Sequence, residues 1–110
     1  MIDIEKTLEE RGKTYGPFTG HAAIAQGLKR VMRSCTNWGK LDDDQAECLD
    51  MVAHKIARIL NGDPNYIDTV RDIIGYLTLL QNRLLVTDGA TDCETIRKRR
   101  INGAWAQVER

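Results

Sequence analysis

The chain has few aromatic residues, few prolines, few cysteines, no excess of either charge and no long apolar run. Each shortage removes a class of protein. Two Trp, three Tyr and one Phe among 110 residues make a poor base-stacking surface. Sixteen Lys and Arg residues offset sixteen Asp and Glu residues, so no net field draws the chain to nucleic acid or to an anionic membrane. Cys35, Cys48 and Cys93 stand far apart, with no CxxC and no histidine at ligand spacing. Such a set reads as reduced thiols rather than as a disulfide frame or a zinc site. No apolar run approaches the roughly 18 residues of a membrane span, and MIDIEKTLEERGK lacks the layout of a signal peptide. A soluble, cytoplasmic protein is expected, with neither membrane nor nucleic acid as its partner.

What is present is helical punctuation. The 42% apolar and 29% charged content is that of an ordinary globular chain. Its length predicts one domain, 1–110, with a core over 3–86 and a basic helical tail over 91–110. Residues 3–11 form a short helical pattern that Gly12 would stop. Lys13 to Phe18 reads as a turn, because Pro17 disfavours helix at Gly16. Thr19 is then the expected cap of a helix to about Cys35, with Ile24, Leu28, Val31 and Met32 as its apolar stripe. Asp42 with Gln45 has the spacing of a capping box, and Asp43 and Asp44 suit the positive helix end. A helix is predicted over about 43–61 and a second over about 64–85. Between them lies Asn61-Gly62-Asp63-Pro64, where Gly62 can adopt the left-handed conformation, Asp63 can cap and Pro64 can open the next helix. Thr91 with Glu94 predicts a further capped helix carrying Arg97-Lys98-Arg99-Arg100 and Trp105. The basic run reads as a solvated face, and Trp105 as an anchor docking the tail on the bundle or on a second subunit. No strand alternation is found. The expected fold is all-α, a compact bundle of four to five helices built on an antiparallel hairpin and assembled as a homo-oligomer.

The hairpin carries most of the candidate chemistry. At about 100° per residue, Leu49, Val52, Ala53, Ile56, Ile59 and Leu60 gather on one side of its first helix. Glu47, Asp50, His54 and Arg58 gather on the other, with Lys55 at the edge. On the second helix Val70, Ile73, Ile74, Leu77, Leu80 and Leu84 make the core stripe. Asp68, Asp72, Gly75, Leu79 and Asn82 lie opposite, flanked by Tyr76 and Arg83. Gly75 weakens its helix by about 1 kcal/mol relative to Ala, as a site of close approach would. The like charges of Asp68 and Asp72 call for a cation between them, either Lys or Arg or a metal ion. His21 and His54, the two histidines, are each a candidate proton donor or phosphate partner. Tyr15 and Phe18 on the loop can stack on a ring. No nucleophile–base pair is evident.

With Glu47 and Asp50 on one helix and DTVRDIIGYLTLL on the next, the hairpin resembles the MazG-like all-α nucleotide pyrophosphohydrolases. The resemblance implies that Glu47, Asp50, Asp68 and Asp72 bind Mg²⁺, which grips a nucleoside triphosphate. The second pair here is spaced by four residues where the family's is spaced by three, and Gln45 and Ala46 stand where its first motif has a doubled EE. YGPFTGHA, MVAHKIARILNGDP and DIIGY, over roughly residues 9–85, also look like a domain-of-unknown-function family of small bacteriophage-encoded proteins. That resemblance implies a viral origin and a bacterial host cytoplasm. His54, Lys55, Arg58 and Arg71 share the hairpin with the carboxylates. They either neutralise the acids or bind phosphate themselves.

The function expected from these readings is binding and sequestering of a nucleotide-type small molecule, with no cofactor required. A nucleotide second messenger of antiviral immunity, a cyclic nucleotide or an ADP-ribose derivative, is the expected ligand. Its expected contacts are Tyr15, Phe18, His54, Lys55, Arg58, Asp68, Arg71, Asp72 and Tyr76. The alternatives are a Mg²⁺-dependent pyrophosphohydrolase using the four carboxylates, and a module that binds a host protein.

Overall fold

The computed structural model describes residues 3–87. Four α-helices follow one another: α1 Ile4–Tyr15, α2 Phe18–Ser34, α3 Asp43–Asn61 and α4 Ile67–Thr87, with a 3₁₀ turn, Thr36–Lys40, between α2 and α3. The described residues are all-helical, without strands, and no helix among them is long and apolar enough to cross a membrane. The expected capped helix after Thr91, its basic run and Trp105 lie outside the described residues. Contacts divide the chain into two units at Tyr76/Leu77, so α4 enters both.

In the first unit, Asp3 caps α1 by accepting the Lys6 N–H at 3.1 Å. Gly12 does not stop this helix, contrary to the sequence reading. A single interior glycine costs only about 1 kcal/mol, and α1 continues to Tyr15, where Gly16 at φ 78° ends it. Pro17 then occupies the cap position of α2, and Thr19, the expected cap, lies inside the helix. The Asp42–Gln45 box forms as expected: the Gln45 Oε1 accepts the Asp42 N–H at 2.8 Å, and α3 runs from Asp43 to Asn61.

The turn after α3 differs from expectation. Gly62 has φ −126°, not the left-handed conformation. Its need for glycine is spatial, since a Cβ would run into the Thr14 carbonyl and the Tyr15 backbone. Asp63 does not cap α4. Its carboxylate accepts the Asn65 N–H at 2.9 Å, a local turn that delays the helix to Ile67.

The face of α3 that turns inward also differs. Ala53 and Ala57 are buried, Ala57 completely, whereas Leu60 is 64% exposed. Small side chains let the α3 backbone approach α2, which offers buried His21 and Ala25. Arg33 pairs with Asp50, and His21 meets His54. The chain directions of α2 and α3 are therefore opposed, and the polar side of α3 is a packed side. Cys48 Sγ donates to the Tyr76 carbonyl at 3.2 Å and Lys55 pairs with Asp72 at 3.0 Å, so the part of α4 within the first unit likewise opposes α3. Thr69 is the buried residue of this stretch. Val70 and Ile74 of the expected core stripe are exposed, as are Leu77 and Leu84 in the second unit.

Gly75 has no described neighbour within 4 Å of an added Cβ. Gly75→Ala is therefore expected to stabilise the chain by about 0.5–1 kcal/mol through helix propensity, read as a higher urea midpoint. A lower midpoint would mean that a neighbour outside the described residues, or another chain, approaches this glycine.

Candidate functional site

The seam where α1, the Gly16-Pro17 link and the end of α3 meet is held by three consecutive residues. Asn61 spends both amide hydrogens on it, donating to the Tyr15 carbonyl at 2.9 Å and the Pro17 carbonyl at 2.8 Å. The Asp63 N–H donates to the Thr14 carbonyl at 2.7 Å. Gly16 and Gly62 admit this approach, since a Cβ on Gly16 would strike the Asn61 carbonyl. The effect is to fix the direction of Tyr15 and the start of α2.

Beside the seam lies a cavity of about 510 Å³, a size that holds a small organic ligand. Leu8, Arg11, Gly12 and Tyr15 reach it from α1, and Gly16 and Pro17 from the link. Phe18 and His21 come from α2, and His54 and Arg58 from α3. Among the described residues the lining contains no carboxylate. Two guanidinium groups share the Tyr15 ring, Arg58 at 4.2 Å and Arg11 at 5.2 Å from its centroid. Both distances are within cation–π range. Tyr15 is itself held edge-on by Tyr66, at 6.0 Å between centroids. Phe18 is 79% exposed and Leu8 is also open, so the apolar part of the wall faces solvent.

The inner wall is the histidine pair. His21 Nε2 and His54 Nδ1 stand 3.2 Å apart, with the rings edge to face at 77°. His21 is buried, and its Nδ1 has no hydrogen-bond partner among the described residues. Burial, the Arg58 guanidinium and the Lys29 ammonium lower the His21 pKa. Burial does the same to His54, followed by His21, Arg58, Lys55 and Lys29, bringing it to about 4 from an ordinary 6.5. An unfolded chain therefore binds the extra proton between about pH 6.5 and pH 4 while the folded chain does not. Stability is expected to fall on acidification through that window. Thermal melts from pH 7.5 to pH 4.5 check this, and His54→Gln should flatten the profile.

Of the residues expected at the ligand, Tyr15, Phe18, His54 and Arg58 line this one cavity. Lys55, Asp68, Arg71, Asp72 and Tyr76 do not. Lys55 pairs with Asp72, and Arg71 with Asp68 at 3.3 Å, while the Tyr76 carbonyl serves Cys48. Three of the four carboxylates of the metal alternative are separately engaged. Asp50 receives both prongs of Arg33, at 3.0 and 2.8 Å, and that guanidinium also lies 4.7 Å from the Trp38 ring centroid. Asp68 and Asp72 hold the cations just named, and Glu47 is exposed. Among the described residues no group of three or more His, Cys, Asp or Glu side chains is placed to hold a metal ion.

Arg11 and Leu8 escaped the sequence reading for one reason. With α1 ended at Gly12, Tyr15 fell on a loop. The i, i+4 relation of Arg11 to Tyr15 exists only because the helix runs through the glycine. Comparison of the chain with protein-family models, curated proteins and solved structures finds no match.

Proposed function

We propose that the chain binds and sequesters a nucleotide-type small molecule in the cavity between α1, α2 and α3. The observation that carries this reading is the pair of guanidinium groups on the Tyr15 ring, in a wall to which no described residue contributes a carboxylate. Two like charges held over one ring repel each other unless an anion joins them. Each guanidinium offers a planar fork suited to phosphate oxygens. The exposed Phe18 and Leu8 supply the apolar surface that a base or ribose covers. The bacteriophage resemblance, which implies a viral origin and says little about activity, is one motive for reading the binding as sequestering rather than turnover. A cyclic nucleotide or an ADP-ribose derivative of antiviral signalling belongs to this chemistry.

The homo-oligomer expected from the sequence is part of the same proposal. Ile67 and Val70 are exposed in the single chain, and zero net charge places no global repulsion between copies. Light scattering on the purified protein reads it directly.

Calorimetric titration with AMP, ADP, ATP, cyclic AMP, cyclic dinucleotides and ADP-ribose tests the binding. Saturable binding of at least one of these is expected, with the ligand recovered intact after the protein is denatured. Binding of none would overturn the reading, and release of pyrophosphate would overturn the sequestering part of it.

A further inference from the structure

The cavity wall contains an arrangement that anion binding as such does not require. His21 and His54 come from different helices and face each other nitrogen to nitrogen at 3.2 Å. Such a contact is a hydrogen bond only when one nitrogen carries the proton and the other accepts it. Of the four ring nitrogens, two are consumed in the bond. The outer two are His21 Nδ1 and His54 Nε2. A neutral pair has one proton in the bond and one on an outer nitrogen. It can gain one more on the remaining outer nitrogen and keep the bond. A second added proton would set two N–H groups against each other and break it. The pair is thus built to hold one extra proton and no more.

What decides whether it does so is the charge around it. The charged groups that act on the pair are Arg58 and Lys55 on α3 and Lys29 on α2, all positive; Arg11 of α1 lines the same cavity, and the Asp72 carboxylate of α4 is paired with Lys55. With the cavity empty, burial and these cations oppose the extra proton, and the pair stays neutral near pH 7. An anion entering beside Arg11 and Arg58 offsets the positive field at the pair and favours its charged form. His21 Nδ1 has no hydrogen-bond partner among the described residues, so no neighbour there fixes which tautomer the pair adopts.

We propose that His21 and His54 act as one proton-accepting unit of the anion site, taking up a single proton when a phosphate-bearing ligand binds and so becoming the cavity's third positive charge. This inference rests on the nucleotide-binding reading above. Its consequence is regulatory, since ligand is held more tightly as pH falls and released as it rises. Where the empty pair is neutral and the occupied pair charged, affinity tightens by about tenfold per pH unit.

The test uses ADP-ribose on the intact chain, because its phosphates lack the second ionisation near pH 6 of a monoester, so any proton taken up belongs to the protein. Calorimetry at pH 6.5 in two buffers of different ionisation enthalpy gives the proton count. The expected result is uptake approaching one proton per ligand, with Kd about tenfold tighter at pH 6.5 than at pH 7.5. In His54→Gln, or His21→Gln should the first fold poorly, ADP-ribose should bind more weakly, with clearly reduced uptake and a shallower pH profile, because the remaining imidazole has lost its hydrogen-bonded partner. Binding with buffer-independent heat and a pH-independent Kd would overturn the proton-accepting pair and leave the nucleotide site standing. Absence of binding by ADP-ribose and by every other nucleotide would remove both.

Discussion

Arg58→Ala is expected to weaken nucleotide binding by about 10- to 100-fold, the loss of one or two charge-assisted hydrogen bonds to phosphate at about 1.5–3 kcal/mol. The residue has three roles in one place. Under the proposed function it offers a fork to phosphate, it lies 4.2 Å from the Tyr15 centroid, and its charge helps to lower the pKa of His21 and His54. Arg58→Lys should recover only part of the affinity, because an ammonium keeps the charge but loses the planar fork and much of the ring contact. Stability should move little, since a half-exposed cation–π contact contributes about 0.5–1 kcal/mol. Calorimetry of the three proteins, with circular dichroism to confirm equal helix content, checks the ordering wild type, Lys, Ala. Equal affinity in all three would place the ligand elsewhere on the chain.

Gly62→Ala is expected to cost about 2–3 kcal/mol of stability, the upper part of the range for forcing a methyl group into packed surroundings. Conformation is not the reason, because φ −126° is open to any residue. Space is the reason. The added Cβ would meet the Thr14 carbonyl and the Tyr15 backbone, neither of which is the end of a flexible side chain. A domain holds only about 5–15 kcal/mol in all, so the loss should be plain in the urea midpoint. Because the displaced backbone is that of Tyr15, the variant should also bind nucleotide more weakly than its remaining folded fraction accounts for. Unchanged stability would mean that the α1–α3 seam is looser than its hydrogen bonds indicate.

How far this arrangement could be read from the sequence depends on the kind of signal. Local chemistry was legible. Asp42 and Gln45 set the start of α3, and the glycine after Asn61 its end, because caps act within a few residues. Signals of equal local strength elsewhere were outvoted. Gly12 sits inside α1 because one glycine cannot stop a helix that its neighbours favour. The inward face of α3 was obscured by counting hydrophobicity, which ranks Leu60 above Ala57. Close approach to α2 selects the alanine, and Leu60 stays exposed. The partners of the carboxylates were beyond reach for a different reason. Arg33 with Asp50 and Lys55 with Asp72 are pairings between helices, and no spacing within one helix encodes them. The same holds for the two histidines, 33 positions apart in the chain and 3.2 Å apart in space.

That pair also provides the most direct probe of the cavity. The chain has two histidines and both line it, so every histidine signal reports from the site. Imidazole resonances followed by NMR while ADP-ribose, then each cyclic nucleotide, is titrated into the wild-type protein should shift together and saturate for at least one of them. If both imidazoles remain unmoved at saturating concentrations of every nucleotide, the cavity between α1, α2 and α3 is not a nucleotide site.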